Sequence, residues 1–277
     1  MENFQLSLLF KIIGLGSASG LIYQNNNLIL IGDNSGFLYN YNIATKKLST
    51  HALIENAMPN IEKKRKPDFE AIAKYENSIY VFGSGSTKNR NVMVEVDATS
   101  KNVIKKHDLS SFYKQLQQFG TIKPDDFNIE GALFSGKNWY IANRGNGKKT
   151  KNTIFTSVGK KFDDNLEIVA HKFKLPKIND VKTSFTDLIL INNKIYFLAA
   201  AEATDSTFFD GEIMGTIIGS IDIATMTIDF TKQISTNQKF EGITLFKKSG
   251  NEISFLLCED NDSPILESNI YKLKLIL

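Results

Sequence analysis

The sequence is poor in the residues most often recruited for metal and redox chemistry. It holds one cysteine, Cys258, and three histidines, His51, His107 and His171. A lone cysteine excludes an internal disulfide framework and a multi-cysteine zinc site, and three scattered histidines argue against a multi-histidine metalloenzyme. Arginine is scarce too: Arg65, Arg90 and Arg144 are the only ones among 33 basic residues. No apolar run reaches the roughly 18 residues a spanning helix needs, so a membrane partner is not expected. Neither charge sign dominates, with 33 Lys and Arg against 30 Asp and Glu and a net charge of +3. That balance suits neither a nucleic-acid binder nor a polyacidic partner.

What is present is ordinary globular material, 42% hydrophobic and 23% charged. The length of 277 residues allows one or two domains, and all-β rings hold such a length as one unit. We read a single domain over residues 1–277. The opening MENFQLSLLFKIIGLGSASG ends in small residues, but Glu2 and Lys11 are wrong for a secretory leader. It reads as a strand from Phe4 to Ile13, and a cytoplasmic location is the matching expectation.

Five segments share one shape: an extended approach, an apolar run, a turn, a second apolar run and a polar tip. They are SASGLIYQNNNLILIGDNSG, DFEAIAKYENSIYVFGSGS, NIEGALFSGKNWYIANRGNG, SFTDLILINNKIYFLAAAEATD and KFEGITLFKKSGNEISFLLCEDND. Their third residues, Ser19, Glu70, Glu130, Thr186 and Glu241, are spaced by 51, 60, 56 and 55. The linking NNN, ENS, SGK, NNK and KSGN are hairpin turns. Three units share a later phrase, NIATKKL, DATSKNV and DIATMTI, which opens on an Asn or Asp suited to a turn.

Each unit is thus a four-stranded meander of about 55 residues, the blade of a propeller. The fifth unit runs out after its third strand, NIYKLKLIL, while the chain begins with a surplus strand. If the surplus strand completes the last unit, the ring closes with no edge left open. The expected fold is an all-β, five-bladed β-propeller closed by its N-terminal strand, with six blades as the alternative if the stretch from Ser84 to Asn128 hides another. Within that stretch DLSSFYKQLQQFG, Asp108 to Gly120, reads as one insertion helix. The fourth blade carries extra residues, ATDSTFFDGEIMG.

Inner strands of a propeller line its axis, so strand-start motifs and polar tips should meet there. The motif acids are Glu70, Glu130, Asp187 and Glu241; the tips supply Asp33, Ser84, Arg144, Glu202, Glu259, Asp260 and Asp262. Converging carboxylates repel one another unless a cation or arginine sits among them. A hard divalent cation such as calcium is one solution; acids that accept backbone N–H groups and tie blades together are the alternative. Arg144, beside NRGNG, reads as a bidentate anion clamp, and Arg90 fits either that role or an ion pair within the blade. The GSGS stretch lacks the helix and the lysine of a phosphate loop, and no histidine in any motif supports a Ser-His-Asp triad. The basic run EKKRKPD reads as solvated loop, and Cys258 as a buried packing residue.

The phrases DFEAIA, GSGSTKNR, NIEGA, NRGNG, FTDL, AAAE and FEGI, then EDND and SNIYKL, occur in that order along nearly the whole chain. Together they resemble an uncharacterised bacterial β-propeller family, a domain of unknown function, whose EG-type motifs are similar to those of the esterase-like and phytase-like propellers. The resemblance implies a propeller and, through the phytase-like relatives, a calcium-dependent or ester-hydrolysing role.

Two functions follow. One is a propeller that binds a small polar or anionic ligand, or a protein, on its motif face, through Asp33, Arg90, Arg144 and Asp260. The other is a metal-assisted hydrolase of a phosphate or carboxylic ester. There Glu70, Glu130 and Glu241 hold the cation, Arg144 takes the anion, and Asp187 or Glu202 is the base. A monomer is expected in either case.

Overall fold

Short apolar runs separated by turns fold as hairpins along the whole chain. The computed structural model describes residues 4–145, 147, 151–162, 166–204, 211–260 and 265–276. Residues 205–210 of the expected blade-four insertion, the lysine pair at 148–149 and the tip acid at 262 lie outside them.

Strand β1 (Phe4–Ile13) precedes blade one, which is β2 (Ala18–Gln24), β3 (Asn27–Gly32), β4 (Phe37–Asn42) and β5 (Lys47–Ala52). Blade two is β6 (Phe69–Tyr75), β7 (Ser78–Gly83), β8 (Val92–Asp97) and β9 (Val103–Asp108). Helix α1 (Ser110–Gly120) then leads to blade three: β10 (Ile129–Phe134), β11 (Asn138–Asn143), β12 (Asn152–Val158) and β13 (Ile168–Phe173). A two-residue strand, β14 (Lys177–Ile178), is added to blade four, β15 (Val181–Ile191), β16 (Lys194–Glu202), β17 (Ile213–Asp222) and β18 (Thr227–Gln233). Blade five is β19 (Lys239–Ser249), β20 (Glu252–Asp260), β21 (Glu267–Ile276) and, outermost, β1. The five antiparallel sheets form a five-bladed propeller.

The N-terminal strand closes the ring, running antiparallel to β21 from Phe4 opposite Leu275 to Ile13 opposite Glu267. The stretch that could have hidden a sixth blade holds β8, β9 and α1. That helix begins two residues after Asp108, whose carboxylate accepts the Ser110 N–H at 2.8 Å. It buries Phe112, Tyr113 and Leu116 between blades two and three.

The repeated phrase between the third and fourth strands is an Asx turn in three blades. Asn42, Asp97 and Asp222 accept the backbone N–H groups of Thr45 at 2.8 Å, Ser100 at 2.7 Å and Thr225 at 3.1 Å. Each turn ends on a residue in the left-handed region, Lys46, Lys101 or Met226.

Five apolar clusters fill the wedges between blades. In the wedge between blades two and three, Trp139 packs edge-on to Tyr80 and Phe82 with ring centres 5.1 and 5.3 Å apart. Each such buried side chain contributes roughly 1.5–3 kcal/mol by leaving water. At the seam between blades five and one the inner strands touch. A Cβ on Gly242 would lie 2.9 Å from the Gly20 Cα and 2.6 Å from the Cys258 sulfur, so glycine is required there. Cys258 is buried and its thiol points at the Ala18 carbonyl, 3.4 Å away.

Candidate functional site

All five inner strands carry the same irregularity. Pairing with the next strand slips between Ala18 and Gly20, Phe69 and Ala71, Ile129 and Gly131, Phe185 and Asp187, and Phe240 and Gly242. The residue left out is Ser19, Glu70, Glu130, Thr186 or Glu241, the set that aligns in the sequence repeat. A bulge leaves its extra residue unpaired and re-aims the side chain. Two of the five stitch neighbouring blades: Ser19 donates to the Phe69 carbonyl at 2.6 Å and Thr186 to the Phe240 carbonyl at 2.7 Å. The other three are glutamates, and they concentrate charge.

Two residues upstream of each bulge stand Ser17, Asp68, Asn128, Ser184 and Lys239, all buried. Across the hairpin they meet the second-strand ends Asp33, Ser84, Arg144, Ala200 and Asp260. The repeat thus builds a double ring of polar groups at the tip end of the inner strands.

Cations of the chain itself bind the acids of this ring. Lys66 bridges blades one and two, in contact with Asp33 and 2.8 Å from Asp68. Arg90 meets Asp68 at 2.6 Å, Ser86 at 2.8 Å and the Lys63 carbonyl at 2.8 Å. Arg144 bridges blades three and four through Glu130 at 3.2 Å and Glu202. Lys239 holds Glu241 at 2.8 Å and Asp260 at 3.2 Å. Six carboxyl groups thus share four cations, and Glu70 adds a seventh acid with no ion pair among the described residues.

The excess shows in the acids' proton affinities. Burial, then the charges of Asp68, Glu130, Asp33 and Glu241, push Glu70 well above the usual carboxylate range. Burial raises Asp33 to about 6 even against the pull of Lys66. For Glu202 burial acts the same way. Arg144, Lys239 and the Gly211 N–H outweigh it and hold Glu202 below the usual range.

Beside this ring a cavity of about 350 Å³ opens at blade four. The β14–β15 hairpin, turning through Asn179 and Asp180 in the left-handed region, stands up as its wall. Arg144, Lys177, Asp180, Lys182, Ser184, Glu202 and Thr204 line it.

Residues 14–275 match a family of unknown function, DUF6929. The chain belongs to that family. No curated protein matches this DUF6929 chain. Among solved structures it is similar to the major allergen of Malassezia sympodialis, with 11% identity, TM-score 0.55 and 96% of each chain covered. It is also similar to the PQQ-bound aldose sugar dehydrogenase of Streptomyces coelicolor, with 10% identity, TM-score 0.53 and 99% and 98% covered. A tail fibre of a Staphylococcus aureus phage shares 10% identity at TM-score 0.52, over 99% of this chain and 53% of the fibre. At such identities the likeness is one of fold.

The DUF6929 ring corrects several readings of the sequence. The acids assigned to a metal, Glu70, Glu130 and Glu241, do not form one donor set: Glu130 is held by Arg144 and by Asn128 at 2.5 Å, and Glu241 by Lys239. The carboxylate oxygens that do lie within 4.8 Å of one another are those of Asp33, Asp68 and Glu70. Asp187, assigned as a base, ties two blades together: its two oxygens accept the N–H groups of Leu188 at 2.7 Å and Ile243 at 2.8 Å, the latter from the next blade. Glu202 accepts the Gly211 N–H at 2.7 Å and is held ionised, which does not suit a base poised near neutral pH. Arg90 is engaged by Asp68, Ser86 and the Lys63 carbonyl, and Arg144 by two acids; each keeps a buried Nε–H unpartnered. Glu259 turns away from the ring to Asn269, 2.9 Å distant.

Sequence reasoning passed over Lys66, Asp68, Asn128 and Lys239. Lys66 belongs to the EKKRKPD run read as solvated, yet its side chain is only 6% exposed. The available signal was position: Asp68, Asn128 and Lys239 all stand two residues before an aligned glutamate.

Proposed function

We propose that this propeller binds a small polar molecule bearing an anionic group, in the tip-face cavity beside blade four. The observation that carries this reading is the cavity lining: two exposed lysines, Lys177 and Lys182, share about 350 Å³ with Ser184, Thr204 and the carboxylates of Asp180 and Glu202. The lysines attract the anion, and the hydroxyls and Glu202 take polar groups. The protein acts as a monomer on a small molecule. Catalysis is not assigned, because Asp187 and Glu202 are committed to other partners.

A thermal-shift and calorimetric panel of sugar phosphates and hydroxycarboxylates tests this. A ligand at about one hundred times its dissociation constant stabilises the fold by about 2.7 kcal/mol. Ser184→Ala should weaken that ligand about fivefold, as expected for one hydrogen bond lost. No shift from any member of the panel refutes the reading.

One observation favours a second reading, metal-assisted ester hydrolysis. Asp33, Asp68 and Glu70 offer three oxygens at a spacing a hard cation accepts, and Asp33 Oδ1 is buried without a partner. The donor type fits calcium, but the Lys66 ammonium already contacts two of the three acids. Calcium titration decides it: a rise in melting temperature and turnover of generic phosphate or acyl esters support the hydrolase, and a flat response rejects it.

A further inference from the structure

Behind the hairpin wall, between blades three and four, lies a second groove of about 470 Å³. Lys151, Lys172, Lys174, Lys177 and Lys182 stand around it, Phe173 and Leu175 supply its apolar surface, and among the described residues no carboxylate lines it. This departs from the chain as a whole, whose net charge is only +3 and whose signs are interspersed.

Local structure makes the clustering unavoidable. From Lys172 to Leu175 the chain alternates exposed lysine with buried Phe173 and Leu175, so the lysines share one side. Lys177 and Lys182 are directly opposite in the β14–β15 hairpin. Like charges at such positions destabilise a strand pair, and the tight turn at Asn179–Asp180 prevents a change of register. The groove is also rigid at its base. Asn152 donates to the Thr183 carbonyl at 2.8 Å and accepts the Phe185 N–H at 2.9 Å, while Thr183 donates to the Pro176 carbonyl at 2.7 Å. Positive charge is therefore held in place around an apolar patch before any ligand arrives, which lowers the cost of ordering on binding.

We infer that this groove binds a small organic anion with an apolar body, a carboxylate, sulfonate or phosphate monoester of an acyl or aromatic group. The ammonium groups take the head and Phe173 with Leu175 takes the body. The volume is that of a small-molecule site.

Anilinonaphthalene sulfonate, an aromatic anion that fluoresces when bound, is the probe. The wild-type protein should bind it saturably at one site, less tightly as salt is raised. Decanoate should displace it, whereas decanol and inorganic phosphate at matched concentration should not. Lys172→Gln with Lys174→Gln, two exposed positions that line this groove and not the axial cavity, should weaken the probe about tenfold with an unchanged melting temperature. The inference is overturned if the wild type does not bind, if salt has no effect, if the double variant binds as tightly as the wild type, or if decanol or phosphate competes as well as decanoate. Ser184→Ala bears on the axial cavity alone, so failure of one site is distinguishable from failure of the other.

Discussion

The polar ring has two sides built from the same residue types and put to different ends. Around blades one and two, Lys66 and Arg90 are buried among Asp33, Asp68 and backbone carbonyls, and every contact they make is internal. Around blades three and four, Arg144 is buried between Glu130 and Glu202 in the same manner, but a cavity opens beside it. The difference does not lie in the acids. It lies in the β14–β15 hairpin, which only blade four carries among the described strands, and in Ala200, the small residue at a ring position held elsewhere by Asp33, Ser84, Arg144 and Asp260. Convergent carboxylates close the ring; a local insertion opens the cavity.

Removing the cation from the closed side should have the largest effect. Lys66→Met leaves Asp33 and Asp68 buried without the ammonium they share. A broken buried pair costs about 3–5 kcal/mol, and urea denaturation should show a loss of that size. The variant also turns Asp33, Asp68 and Glu70 into an open set of hard donors, so calcium should recover part of the lost stability while leaving the wild type unchanged. A loss below about 1 kcal/mol would mean that this side is not held by its ion pairs.

On the open side, Arg144→Lys sharpens the contrast. An ammonium cannot span Glu130 and Glu202 as the planar fork does. One acid is left unpaired, and the expected loss is about 2 kcal/mol, smaller than for Lys66→Met because one pair survives and the cavity admits water. The same variant should impair an anionic ligand of the cavity, read by calorimetry. Equal losses at Lys66 and Arg144 would erase the distinction between the two sides.

The fold was largely legible because its signals are local and repeated. The aligned residues Ser19, Glu70, Glu130, Thr186 and Glu241 proved to be the bulge residue of each inner strand, and the surplus strand Phe4–Ile13 closes blade five. The site was legible only by half. Position in the repeat brought Asp33, Glu70, Glu130, Arg144, Glu202, Glu241 and Asp260 to one end of the ring, but it could not say which cation each acid meets. Lys66 looks like any lysine of a solvated run, because its burial depends on the chain crossing from blade one to blade two over the tip face. The hairpin at Lys177–Lys182 lies outside the repeat and carried no alignment signal. The bond from Asp187 to the Ile243 N–H was hidden for the converse reason: Asp187 sits next to the bulge residue Thr186, and that one-residue offset aims it at the next blade.

The smallest effect expected has the opposite sign. Glu70 has no ion pair of its own among the described residues, and burial with four neighbouring acids raises its proton affinity. A buried acid with a raised value favours folding while protonated. Its contribution is fully present below the ordinary carboxylate range and is lost as pH rises through the raised value. Asp33, raised to about 6, acts in the same direction over the window from 3.8 upward. Glu70→Gln keeps the shape and removes the charge, so it should stabilise the protein at about pH 8, by about 1 kcal/mol, the common size of a single-residue effect. Near pH 4, where Glu70 is largely protonated in both folded and unfolded chains, the difference should shrink to a small remainder. Melting curves from about pH 4 to pH 9 read this directly. If Glu70→Gln instead destabilises the fold at high pH, and does so more strongly when calcium is present, then Glu70 serves a bound cation, and the closed side of the ring is a site after all.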